Sequence, residues 1–72
     1  MVFDYSRLRG RIIERFGSQR EFANHLGVSE QTITSKMTSK TFLGQDDIIA
    51  WSEALDIEAN DIGSFFFAKK LS

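Results

Sequence analysis

Residues 18–34 read SQREFANHLGVSEQTIT, two helix-opening serines with a glycine between them. Ser18 and Glu21 form a Ser-x-x-Glu pair, in which each side chain can satisfy the other residue's otherwise unpaired backbone amide at a helix start. Phe22 and Leu26 then fall at i and i+4 on one face. Gly27 suits the left-handed turn that ends a helix, and Val28 follows as the apolar residue expected to tuck under that turn. Ser29 caps a second helical pattern whose buried pair is Ile33 and Met37. Two short helices meeting at roughly 90–120° need a small residue where their backbones approach, a flexible one at the bend and apolar side chains between them. Ala23, Gly27 and the set Phe22, Leu26, Val28 and Ile33 supply all three, so the stretch from about 18 to 38 reads as a helix-turn-helix. With Ile33 and Met37 facing inward, Glu30, Gln31, Thr34 and Ser35 point elsewhere.

Upstream, YSRLRGRIIERF (5–16) repeats Tyr5, Leu8, Ile12 and Phe16 at spacings of three and four, which puts them on one helical face with the arginines largely off it. Gly17 ends this helix. Downstream, TSKTFLG (38–44) is a connector whose Phe42 and Leu43 are expected to seal the core. QDDIIAWSEAL (45–55) is a fourth helix, with Asp46 and Asp47 in its first turn, where the helix dipole favours acids. Its expected buried stripe is Ile48, Ile49, Trp51 or Ser52, and Leu55. EANDIGSF (58–65) makes a short fifth helix around Ile62, of a length that Gly63 leaves open. The tail, about 65–72, reads FFFAKKLS and sets three aromatics in a row that no single face can bury. As extended chain it turns Phe65, Phe67, Lys69 and Leu71 one way and Phe66, Ala68 and Lys70 the other. It can pair with the N-terminal MVF or with a second subunit in a homodimer; alternatively Phe65 and Phe66 finish the core.

A chain of 72 residues with 42% hydrophobic and 26% charged side chains is expected to be one globular domain over 1–72, all-α, with a small core. There is no cysteine and one histidine, so disulfides, thiolate chemistry and the usual zinc sites are excluded. His25 reads as a surface or boundary side chain. No metal, cofactor or small-molecule ligand is expected, and no membrane span: no apolar run nears the ~20 residues a bilayer needs, and MVFDYSRLRG lacks a signal peptide's apolar segment. A cytoplasmic location follows. The formal net charge of −1 conceals a gradient: residues 1–40 carry seven Arg and Lys against four acids, and residues 41–72 carry two against six. An enzyme is not expected, because Asp46 and Asp47 are better explained as helix N-terminal acids than as part of a convergent catalytic set.

Gln19, Ala23, Gly27, Ser29, Thr32 and Ile33 together match the helix-turn-helix pattern of phage repressor and Cro proteins, which this sequence resembles over about residues 5–57. With its Phe-rich tail it is most similar to the small Cro-like and modulator-of-repression (MOR) proteins of temperate phages of Gram-positive bacteria. The resemblance implies a compact five-helix repressor-like domain with a short extended C-terminal tail, working in the host bacterial cytoplasm on the choice between lysogenic and lytic transcription. It also implies that the helix after Gly27 is a recognition helix entering the major groove. Gln31 would then pair with adenine, Thr34 and Ser35 would reach base edges, and Glu30 would accept from cytosine. Gln19, Arg20, Lys36, Ser39, Lys40 and Thr41 would contact phosphate. One position departs from the pattern: three residues after Ile33, where the family places a large apolar side chain, stands Lys36.

The partners expected are double-stranded operator DNA, a CI-type repressor, or both. In the first reading the helix-turn-helix binds the operator, alone or together with the repressor. In the second, the same face of Glu, Gln, Thr and Ser meets the basic DNA-reading surface of the repressor, and the protein is an antirepressor.

Overall fold

The computed structural model describes residues 3–38 and 40–68. Among them run five α-helices: α1 (Ser6–Phe16), α2 (Gln19–Leu26), α3 (Glu30–Met37), α4 (Gln45–Ala54) and, after a 3-10 turn at Ala59–Asp61, α5 (Ile62–Phe66). The all-α, five-helix architecture expected from the periodicity is the one observed.

Each boundary has a local cause. Asp4 starts α1: its Oδ1 accepts from the Ser6 amide at 2.9 Å and the Ser6 hydroxyl at 2.6 Å. Gly17 ends that helix at φ 85°, and its amide donates back to the Ile13 carbonyl. The Ser18 half of the expected capping box forms, with Ser18 Oγ accepting from the Glu21 amide at 3.1 Å. Gly27, at φ 76°, closes α2 in a Schellman turn: its own amide donates to Asn24 and the Val28 amide to Ala23. Ser29 Oγ accepts from the Thr32 amide and opens α3.

The core is built on Leu8 and Ile12 from α1, Phe22 and Ala23 from α2, and Ile33 and Met37 from α3. Trp51 and Leu55 from α4, Ile57, and Phe65 and Phe66 from α5 complete it. An aromatic line crosses it, from Phe16 to Phe22 at 5.2 Å, edge-on to Trp51 at 5.1 Å, and on to Phe66 at 6.4 Å. α3 packs on α2, α2 on α1, and α5 on both α1 and α4, so the two-helix corner is clamped from behind.

Four expectations about side chains are corrected. Val28 does not tuck under the turn; it is 40% exposed, because the turn uses its amide and leaves the side chain half outside. Phe42 does not seal the core. It stands 86% exposed with its ring over Gly44, while Leu43 takes the inward place. Ile49 is 58% exposed, since a stripe already holding Ile48, Trp51, Ser52 and Leu55 at helical spacing has no room for a residue about 100° away. The tail is not extended from residue 65: Phe65 and Phe66 belong to α5 and are buried, which realises the alternative in which they finish the core. Beyond them the chain does meet the N-terminal segment, where the Asp4 amide donates to the Ala68 carbonyl at 2.7 Å. Lys69, Lys70 and Leu71 lie outside the described residues.

Candidate functional site

The α2–α3 corner places the predicted outward residues on one surface. Glu30, Gln31 and Thr34 are exposed along α3, and Ser35 is half-buried beside them. A shallow hollow of about 420 Å³ runs along this face, lined by Ser29, Gln31, Thr32, Ser35, Lys36 and Thr41. Gln19, at the start of α2, accepts from the Thr34 hydroxyl at 3.4 Å, so the two helices hold each other's polar side chains. Arg20 and Lys40 are exposed, and neither is in an ion pair among the described residues. Thr41 is exposed at the end of the hollow. Ser39 lies outside the described residues. Phe22, Ala23 and Ile33 are buried beneath the face, Leu26 is partly buried, and Gly27 holds the bend.

Lys36 behaves differently from the other cations. Its ammonium donates to Asp47 Oδ2 at 2.7 Å across the gap between α3 and α4, in a pair whose side chains keep only 20% and 28% of their exposure. The same Oδ2 accepts from the Gly44 amide at 3.1 Å, which caps α4. Lys36 thus occupies the position where an apolar residue was expected by keeping most of its side chain out of solvent and ending on an acid of the next helix. α3 contains two charged residues, Glu30 and Lys36, so pairing the second leaves Glu30 as the helix's charge with no ion pair among the described residues. Sequence reading assigned Asp47 to the helix dipole alone; a glycine with an acid three residues on pointed to the cap, but nothing local pointed to Lys36.

Helix α1 carries its own basic residues. Arg7 and Arg11 lie over the Phe65 ring at 4.5 and 5.3 Å, Arg11 also approaches Glu14 at 3.7 Å, and Arg15 approaches Asp56 at 3.9 Å. The positive excess of the N-terminal half is therefore largely not on α3. His25 is exposed on α2 with its ring 5.0 Å from Phe16, as a boundary residue should be. Burial pushes the Tyr5 hydroxyl above its ordinary pKa. Among the described residues no three His, Cys, Asp or Glu side chains group closely enough for a metal ion, and no helix is long and apolar enough to cross a membrane.

A family model described as "protein of unknown function (DUF739)" matches residues 1–69. The solution structure of the modulator of repression (MOR) of the temperate bacteriophage TP901-1 from Lactococcus lactis superimposes with a TM-score of 0.83 at 36% identity, covering 100% of this chain and 97% of that one. The chain belongs to the DUF739 family and is a full-length relative of the phage modulator of repression. No curated protein matches it. The resemblance to modulator-of-repression proteins, drawn from the sequence with its Phe-rich tail, thus led to the right relatives. In this DUF739 protein the one cation of α3, Lys36, is paired with Asp47.

Proposed function

We propose that this protein regulates a phage genetic switch by direct contact with a CI-type repressor, covering the repressor's basic DNA-reading surface with the α2–α3 face. One observation carries the reading: the only cation of α3 is held by Asp47, so its exposed end offers Glu30, Gln31 and Thr34 without net positive charge. Affinity for DNA rests on neutralised phosphates, each contributing a salt slope of about −0.9, and tight binders make roughly six to ten such contacts. Arg20 and Lys40 allow two on this face, a slope of about −2. Glu21 and Glu30 beside them oppose even that, whereas acids and amides suit a surface evolved to hold phosphates. The relative whose fold it shares is named for modulating repression, which supports a repressor as the partner.

The operator reading keeps one specific support. Gln31 and Thr34 stand exposed on α3, with Thr34 oriented by Gln19, in the arrangement that reads base edges once another protein supplies phosphate affinity. A mobility-shift experiment on operator fragments at low salt separates the two. Addition of this protein alone is expected to leave the DNA unshifted, and its addition to the repressor–operator complex is expected to release or remodel it. Charge reversal at Glu30 should remove that effect. A strong shift by the protein alone, weakened about 10-fold or more by Gln31→Ala on operator but not on random DNA, would establish the operator reading instead.

A further inference from the structure

A second hollow, about 560 Å³, opens on the other side of the α3–α4 connector, lined by apolar groups from three parts of the chain: Tyr5, Leu43 and Ile48, with Phe66 at its base and Phe42 and Phe67 on its walls. It is continuous with the α3 face, because Lys36 and Thr41 border both hollows. Phe42 also walls a third depression, over Gly44, Gln45, Asp46 and Asp47. The connector residues Thr41 and Phe42 therefore stand where three concavities meet. Two of the most exposed aromatics in the molecule, Phe42 and Phe67 at 51%, flank the central one. The fold has no use for Phe42 where it stands, and an exposed phenyl ring at the junction of concave surfaces has the form of an interface anchor.

The charges around it define what fits. Lys36 and Asp47 cancel each other, which leaves Lys40 on the rim of the apolar hollow and Asp46 on the opposite side of the Phe42 ring. Neither is in an ion pair among the described residues. A phosphate backbone is a poor match, since it would meet a phenyl ring and a carboxylate. A protein segment bearing one bulky apolar side chain, with an acid on one flank for Lys40 and a base on the other for Asp46, matches all three features.

Building on the repressor-contact reading above, we infer that the repressor is gripped at a second place outside α3: Phe42 and the hollow beneath it take such a segment of the partner, with Lys40 and Asp46 setting its direction. This anchor gives affinity, and the α3 face decides what is masked.

The test is calorimetric titration of the whole protein with the purified CI-type repressor of the same phage. Phe42→Ala, which removes almost no buried contact, should keep the wild-type melting temperature and weaken binding about 30-fold or more. Lys40→Glu and Asp46→Lys should each weaken it, and the Lys40→Glu/Asp46→Lys double variant should not restore it. Unchanged affinity in Phe42→Ala, with Glu30→Lys still disruptive, would overturn the second grip and leave the α3 contact standing. If the wild-type protein does not bind the repressor, both fall. Loss of self-association in Phe42→Ala, read by sedimentation, would assign the hollow to a second copy of the chain and overturn the inference.

Discussion

Asp47 holds the α3–α4 junction through two bonds from one oxygen, and its removal can be worked out in parts. At an N···O distance of 2.7 Å an effective dielectric of about 20 gives a Coulomb attraction near 6 kcal/mol, an upper bound from which desolvation subtracts most. With both side chains still 20–28% exposed, the net lies between the ~0–1 kcal/mol of a surface pair and the ~3–5 kcal/mol lost on breaking a buried one, so roughly 1–2 kcal/mol. The Gly44 amide adds about 1 kcal/mol as a lost cap, and the helix dipole a few tenths more. Asp47→Ala should therefore cost roughly 2–4 kcal/mol, or about 10–25 °C in Tm for a domain of this size. Asp47→Asn keeps an acceptor for Gly44 and should cost about 1 kcal/mol less. Urea unfolding followed by the single tryptophan, Trp51, measures all of these, and a double-mutant cycle with Lys36→Met should return a coupling of about 1–2 kcal/mol. In Asp47→Asn the freed Lys36 should also steepen the salt dependence of non-specific DNA binding by about one. A coupling within ~0.3 kcal/mol of zero, together with an unchanged salt slope, would refute the idea that this pair sets the charge of the face.

The remaining expectations concern the platform beneath. Gly10→Ala and Gly27→Ala add the same methyl into equally open space, yet the first should stabilise by about 0.5–1 kcal/mol and the second destabilise by roughly 1–2 kcal/mol, because only Gly27 sits at positive φ; thermal melts of the pair check the opposite signs. Ile33→Ala should cost about 2–5 kcal/mol in urea titrations, since it empties the contact between α3 and the core, whereas a loss under 1 kcal/mol would contradict that packing. Tyr5, the only tyrosine, should titrate above its ordinary value when followed by ultraviolet absorbance. As burial favours its neutral form, the stability it contributes is complete below the unfolded pKa and is lost as pH rises through the folded one; a midpoint at or below the ordinary value would remove the burial argument.

How far the sequence could be read depended on the range of the forces involved. Ser18, Gly27 and Ser29 act within three or four residues, so the corner and its helix ends were legible, as were the inward pairs Phe22/Leu26 and Ile33/Met37. Phe42 and Ile49 were misplaced because hydrophobicity alone does not distinguish a residue facing the core from a neighbour one step round the helix or along the connector. Helix α5 was placed around Ile62 and up to Phe65, but its extension to Phe66 depends on the packing of α5 against α1 and α4. The Lys36–Asp47 pair spans two helices eleven residues apart, and no local pattern records it.

The most direct test of a face built for a protein partner is an NMR titration of the isotopically labelled chain with unlabelled CI-type repressor, and separately with operator DNA. Repressor is expected to shift the amide signals of Arg20, of Glu30 through Ser35 and of Thr41 and Phe42, while DNA at physiological salt leaves them in place. Shifts of those signals by DNA alone, or a repressor footprint confined to the arginines of α1, would contradict it.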